Sequence, residues 1–145
     1  MDSLADNRRA RFDYAVLESY EAGIKLEGHE VKSVKSGRAG LSGAHAIIRG
    51  GEAWLLNANI APYQANNAPV GYDPTRTRRL LLAKSEIAEL TGKLREKGVS
   101  LIPMRLYANH GIVKVELALA RARKAHDKRE VLKKRSSDRE MRREE

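Results

Sequence analysis

The 145-residue sequence predicts a mainly β domain: a small antiparallel barrel with two or three flanking helices and a basic C-terminal tail. Three observations predict it. Val113, Val115, Leu117 and Leu119 alternate with Lys114, Glu116, Ala118 and Ala120, the period of a half-buried strand. Gly50-Gly51 separates two short apolar runs, 46–48 and 53–56, as a two-residue hairpin turn does. The remaining apolar runs are also short, and Gly, Pro and Asn punctuate them.

Taken in order, residues 1–11 read as a flexible arm carrying Arg8, Arg9 and Arg11. Across 12–27, Phe12, Tyr14, Val16 and Tyr20 fall on one side at period 2, a strand signal. From 29 to 36 the period changes. Val31 and Val34 sit three apart, Lys32 and Lys35 point elsewhere, and Gly37 follows as a C′ residue, so a short helix with a basic side is expected. Residues 61–79, with Pro62, Asn66, Asn67, Pro69, Gly71 and Pro74, form a long loop ending in Arg76, Arg78 and Arg79. Residues 80–82 are a short apolar run. Ser85 can cap a helix whose Ile87, Leu90 and Leu94 share a face, with Gly98 beyond its end. Pro103 restricts the strand over 99–107 to an edge or a bulge, and Asn109-His110-Gly111 reads as a turn. Continued past Leu119, the apolar face of the last strand would bury Arg121 and Arg123 without partners, so the strand leaves the core near residue 120 and presents a basic rim. The architecture that fits is an OB-like barrel over 12–124, which commonly binds nucleic acid on one face.

Charge separates the barrel from the C-terminal segment. The chain holds 28 basic and 19 acidic residues, a net charge of +9. Residues 121–145 contribute 11 basic and 6 acidic of these, more than half the net charge. Val131, Leu132 and Met141 are the only sizeable apolar residues there, too few for a stripe that docks on a core. Strong helix formers and the i,i+4 pairs Glu130–Lys134 and Asp138–Arg142 favour a tail, 125–145, that is disordered alone and helical on an anionic surface.

Such a charge attracts polyanions: RNA, DNA or an anionic membrane surface. The chain has no cysteine, which excludes disulfides, thiolate nucleophiles and zinc knuckles and suits a reducing cytosol. No apolar run approaches the roughly 20 residues of a bilayer span, and the N-terminus lacks a signal-peptide shape, so a cytoplasmic protein is expected. His29, His45, His110 and His126 lack metal-site spacing, GxxxxGK[ST] and GxGxxG are absent, and no Ser or Glu is singled out as nucleophile or base. No enzyme, metal or cofactor is expected. Phosphate binding needs only cations and backbone donors, and those are abundant. Aromatics make up 5% of the chain, too few for a single-strand stacking platform, so folded RNA recognised by shape is favoured. Phe12 and Tyr14 are expected as ordinary core residues rather than base-stacking ones.

Six segments carry a more specific signal: Asn7-Arg8-Arg9-Ala10-Arg11, Tyr20-Glu21-Ala22-Gly23-Ile24, Gly28-His29-Glu30-Val31-Lys32-Ser33, the stretch 73–82 reading DPTRTRRLLL, Lys114-Val115-Glu116 and Asp127-Lys128-Arg129. In order and spacing they resemble the SsrA-binding protein family, also called small protein B, over about residues 7–143. The resemblance implies an OB-like barrel that binds the tRNA-like domain of transfer-messenger RNA (tmRNA) and enters stalled ribosomes with it for trans-translation, which rescues the ribosome and adds a degradation tag to the nascent chain. The protein would stand in for the missing anticodon arm, its tail lying as a helix in the decoding centre and mRNA channel, against small-subunit rRNA. It would act beside alanyl-tRNA synthetase and, indirectly, elongation factor Tu, as a monomer.

By the same resemblance, the RNA-facing positions include Asn7, Arg11, Glu21, Lys32, Leu81, Arg121, Arg123 and Lys124, and Asp127, Lys128 and Arg129 start the ribosome-directed tail. The cationic groups add Arg8, Arg9, Lys35, Arg38, Arg76 and Arg78 to the first set and Lys133, Lys134 and Arg135 to the second. Glu21 fits either an RNA amino group or an ion pair within the barrel. Phe12 departs from the family's usual histidine, Gly40 from asparagine and Ala122 from glycine, and Arg121 and Arg123 stand for lysines. The competing reading is a general RNA-binding or ribosome-associated OB-fold protein without tmRNA specificity.

Overall fold

Strand pairing closes on itself. In a computed structural model, which describes residues 3–64 and 68–144 with side chains as far as residue 136, the elements run β1(Ser3–Asp6), α1(Arg8–Asp13), β2(Tyr14–Ile24), α2(Gly28–Lys35), β3(Ala39–Gly40), β4(His45–Arg49), β5(Glu52–Leu56), β6(Asn59–Ile60), β7(Arg78–Leu81), α3(Lys84–Lys93), β8(Val99–Asn109), β9(Ile112–Ala122) and α4(Ala125–Glu144). The order β8-β4-β5-β7-β2-β9, with β9 paired back to β8, makes an antiparallel OB-like barrel; β3 and β6 form a separate two-stranded ribbon. Asn66 and Asn67 of the long loop, and the Asp138–Arg142 pair, lie outside the described residues and side chains.

The hairpins follow their turn chemistry. Gly50 and Gly51 have φ of 62° and 73° and join Arg49 to Glu52, and His110 and Gly111, at 51° and 78°, join Asn109 to Ile112. Both turns need left-handed backbone at two consecutive residues. Helix α2 ends at Gly37, φ 77°, with Gly37 N–H donating to the Val34 carbonyl and Arg38 N–H to that of Ser33, a Schellman closure. Helix α3 begins at Lys84 with Ala83 as its N-cap, two residues earlier than a Ser85 cap would place it. Glu86 accepts the Ala83 N–H at 3.1 Å and caps the first turn.

The core is the inward face of the ring, with Leu55, Leu80, Leu101, Leu106, Val115 and Leu117 all buried. Ala118 and Ala120 are buried as well, on the other side of β9, where α1 covers them with Ile102, Met104 and Ala10. That second cluster is why β9 reads as apolar on both faces near its end. Arg121 and Ala122 then emerge into solvent as the alternation required.

Bulges on β8 and β2, beside a third irregularity between Ser3 and Ala5 of β1, shift the register. Pro103 opposes Leu117 while Arg105 opposes Glu116, so Met104 is the extra residue, as the proline foretold. On β2, Val16 opposes Ala120 and Glu18 opposes Leu119, so Leu17 is inserted. The single-sided strand expected from Phe12 to Tyr20 therefore breaks. Phe12 belongs to α1, Val16 and Leu17 are 49% and 48% exposed, and Tyr20 and Ala22 face the core.

Residues 3–11 are not the free arm expected of them. Strand β8 continues beyond its pairing with β4, and β1 covers that extension through Ser3↔Tyr107 and Asp6↔Arg105. Asn7 then stitches the chain to the bulge. Its N–H donates to the Met104 carbonyl (2.8 Å) and its Nδ2 to the Pro103 carbonyl (2.9 Å), while its Oδ1 accepts from Ala10 N–H (3.2 Å) and caps α1. Residues 125–144 form helix α4, whose lysine, arginine and glutamate content favours that state.

Replacing Asn7 by Ala removes the cap from Ala10 N–H and leaves the Pro103 carbonyl short of a donor, while the backbone bond to the Met104 carbonyl stays. A loss of about 1–3 kcal/mol is expected in chemical denaturation, with hydrogen exchange accelerated in α1 before the barrel strands.

Candidate nucleic-acid interface

The cations of the DPTRTR segment are split by function, and a buried carboxylate splits them. Asp73 Oδ1 accepts from Thr75 N–H at 2.9 Å and Thr75 Oγ1 at 3.0 Å, a turn that sets the following residues in extended chain. Arg76 and Arg78, two apart, therefore point the same way, towards Glu30 on α2. Glu30 is fully buried. It accepts from Glu27 N–H (2.9 Å), Tyr72 hydroxyl (3.0 Å), Arg78 Nε (2.8 Å) and Arg76. Burial alone would raise its pKa. The hydrogen bonds from Arg76, the Glu27 backbone and Arg78 outweigh that and hold it at about 2.

Arg78, expected on the RNA face, is 0% exposed. Its remaining donors reach the carbonyls of Ala58, Pro74 and Arg76 and the Tyr72 hydroxyl. Sealed from solvent, it closes the loop over α2. Arg76 is half-buried on the same carboxylate. Asn7, at 4% exposed, is likewise a structural cap.

The cations expected at the RNA face, apart from Arg76 and Arg78, form two groups flanking β1, which touches α2 on one side and leads into α1 on the other. On α1, Arg8 and Arg9 face solvent, Arg9 held at 3.1 Å by Asp13, and Arg11 lies 2.9 Å from Asp6. The end of β9 adds Arg121, paired to Glu96 at 2.7 Å, and Arg123, whose Nε donates to the Tyr14 carbonyl at 3.2 Å. Lys124 is exposed, and Asp127 accepts its N–H at 3.3 Å to open α4. Beyond it Arg129, Lys133, Lys134 and Arg135 are exposed, while Lys128 is half-buried. The second group surrounds Tyr63. Arg38 donates to its carbonyl at 2.8 Å, Lys32 sits 6.0 Å from its ring, and exposed Lys35 is a turn away on α2. Surface pairs such as Arg9–Asp13 and Arg121–Glu96 contribute at most about 1 kcal/mol, so phosphate can displace them.

Glu21 lies on the outside of the barrel. Directly paired residues carry a row of charges across four strands: Glu21, Glu116, Arg105 and Asp6, which in turn holds Arg11. Arg105 stacks on Tyr107, 4.4 Å from the ring centre, and burial, then the hydrogen bond to Glu21, pushes the Tyr107 hydroxyl up to about 12. Glu21 is thus neither an inward ion pair nor an isolated acid; it tethers Tyr107. Leu81, 47% exposed, sits on the adjoining strand, opposite Gly23.

Glu30, Tyr72, Tyr63 and Asp13 were not foreseen as site-building residues. Glu30 stands inside the GHEVKS motif, but nothing local says that its partners lie 46 and 48 residues away. Among the described residues no group of His, Asp and Glu could hold a metal, and no helix is long and apolar enough to cross a membrane.

An OB-like barrel that carries clusters of arginines and lysines on one helix, at one strand end and beside a loop belongs to the class of small polyanion-binding barrels. More specifically, this chain belongs to the SmpB protein family, whose model matches residues 4–145. It is similar to the SsrA-binding protein of Gloeothece citriformis (strain PCC 7424), 50% identical over 140 residues, which cover 97% of this chain and 90% of that one. The SsrA-binding protein of Thermosynechococcus vestitus is 51% identical over 140 residues, covering 97% and 92%. A solved structure described as "tmRNA-SmpB: a journey to the center of the bacterial ribosome" holds a chain 46% identical, with a TM-score of 0.71, covering 88% of this chain and 92% of that one.

The depressed pKa of Glu30 makes the fold acid-sensitive. Its ionised form stabilises the native state fully above the unfolded value of 4.5, and that contribution is lost as pH falls towards about 2. Glu30→Gln should cost about 3–5 kcal/mol at pH 7 and flatten the decline in stability between pH 4.5 and 2, as followed by urea titrations across that range.

Proposed function

We propose that this protein is a non-catalytic adaptor that binds the tRNA-like domain of tmRNA and delivers it to stalled ribosomes for trans-translation. The observation that carries the reading is the match to the SmpB family over residues 4–145, joined to a cluster of exposed cations on α1 and at the end of β9. Arg8, Arg9, Arg11, Arg121, Arg123 and Lys124 form the primary phosphate-binding rim, with Lys32, Lys35 and Arg38 a second contact. Arginine suits this work because its planar fork meets two phosphate oxygens at once. Glu21 and Leu81 lie outside the rim, Glu21 steadying Tyr107 and Arg105 beside the RNA and Leu81 offering an apolar surface to sugar or base.

The barrel holds the RNA, and the tail from Asp127 through Lys128, Arg129, Lys133, Lys134 and Arg135 reaches the ribosome's decoding centre and mRNA channel as a helix. In this reading the adaptor works in the cytoplasm as a monomer, with alanyl-tRNA synthetase and elongation factor Tu as indirect partners. The adaptor role needs no bond-making chemistry.

Affinity for the tRNA-like domain should fall steeply with salt, and Arg121→Ala/Arg123→Ala/Lys124→Ala should reduce the slope by about 2–3, given about 0.7–0.9 per phosphate contact. An unchanged slope in filter-binding titrations removes those residues from the interface. Equal affinity for ordinary tRNA would favour a general RNA-binding protein over a tmRNA adaptor. Deletion of residues 130–145 should leave RNA affinity within about threefold, under 1 kcal/mol, yet abolish tagging on stalled ribosomes in a reconstituted assay.

A further inference from the structure

The outer face of β5 and β7 carries a group of side chains that belongs neither to the rim nor to the cluster around Tyr63. Ala53 and Leu55 of β5 and Leu80 of β7 face the core, so the residues that alternate with them point outward. Trp54 of β5 lies directly opposite Arg79 of β7 on one side and Ile47 of β4 on the other. Lys25, just past the end of β2, extends the row, its N–H donating to the Arg79 carbonyl at 2.9 Å. An indole, a guanidinium and an ammonium group thus stand side by side across three neighbouring segments.

None of the three is consumed by the fold. Trp54 lies outside the apolar core and is half-buried. Its Nε1 donates to the Arg49 carbonyl at 3.3 Å, which fixes the ring along the hairpin and satisfies the one polar group of the indole. What the ring has left to offer is its π surface. Arg79 pairs with Glu52 at 3.0 Å, with 42% and 40% of the two side chains exposed, so phosphate can displace the carboxylate. Lys25 is exposed. The row is also continuous with Leu81, which follows Arg79 by two residues and shares its face. A Cβ on Gly23 would lie 3.2 Å from Leu81 Cβ, so the glycine gives Leu81 its place and leaves the sheet bare beside it.

We propose that Trp54, Arg79 and Lys25 form a stacking site for one unpaired base of the tRNA-like domain, the base lying on the indole and its phosphate held by Arg79 and Lys25. The site rests on the adaptor reading, of which it names one contact. Every base has a π face, so the indole selects an unpaired base rather than a sequence. The guanidinium fork beside it meets two phosphate oxygens at once. A single platform suits a folded RNA that turns one base out of a loop, whereas a single-strand binder needs several in succession. Continuity with Leu81 assigns the base to the tRNA-like domain, since in the adaptor reading the tail, not this face, is directed at the ribosome.

Trp54 is the chain's one tryptophan, so the unmodified full-length protein reports on its own site. Its emission, excited selectively, should fall by about half when the tRNA-like RNA saturates the protein, and a fully paired RNA duplex should leave it essentially unchanged. Trp54→Leu should weaken RNA binding about tenfold and Trp54→Phe less than about threefold, with melting temperatures close to the parent's. Arg79→Gln should lower the salt slope by about 1. Emission that stays constant while filter binding shows the RNA bound would overturn the site and leave the adaptor reading standing. Equal quenching by the duplex, or Trp54→Leu binding as tightly as Trp54→Phe, would also overturn it. A protein that retains no RNA on the filter sinks the adaptor reading and the site together. Should Trp54→Leu fail to fold, the emission of the parent still decides.

Discussion

A single buried carboxylate organises this molecule. Glu30 has no access to water, and its charge is sustained only by the two arginines, the tyrosine and the backbone donor that surround it. Those partners come from α2, from the loop before β7 and from β7 itself, segments that share no regular hydrogen-bond ladder with one another. Removing the carboxylate would strand Arg78 in the interior with an uncompensated charge. The long loop therefore keeps its place through electrostatics rather than apolar burial, and α2 is held so that Lys32 and Lys35 face outward beside Tyr63.

The same logic separates cations that bind from cations that build. Arg78 and Arg9 are one residue type under opposite conditions. One is sealed behind five acceptors; the other stands in solvent with one half-buried carboxylate to exchange for phosphate. In a family that handles a folded polyanion, net charge alone overstates the interface. Internally paired cations such as Arg78 must be subtracted from it, and clusters remain on α1, at the end of β9 and around Tyr63. Helix α1 is the shared element: it covers the second apolar cluster and carries rim arginines.

Much of this was legible in the sequence where the cause is local. The alternation of β9, the Gly50-Gly51 hairpin, Gly37 closing α2 and the bulge at Pro103 each follow from one or a few adjacent residues. The rest depends on partners distant in sequence. Nothing near Asn7 reveals the two carbonyls that β8 frees at its bulge, and nothing near Arg78 reveals Glu30. The Leu17 insertion looks like continued alternation unless the pairing with Ala120 and Leu119 is known. The tail's composition supports a helix and a coil alike.

The division between exposed rim and internal arginine is most directly tested by following arginine side-chain resonances in NMR while the tRNA-like RNA is added. The Nε–H signals of Arg8, Arg11, Arg121 and Arg123 should shift or broaden at low RNA ratios, while that of Arg78 stays in place. A moving Arg78 signal, or a rim whose signals ignore the RNA, would contradict this account.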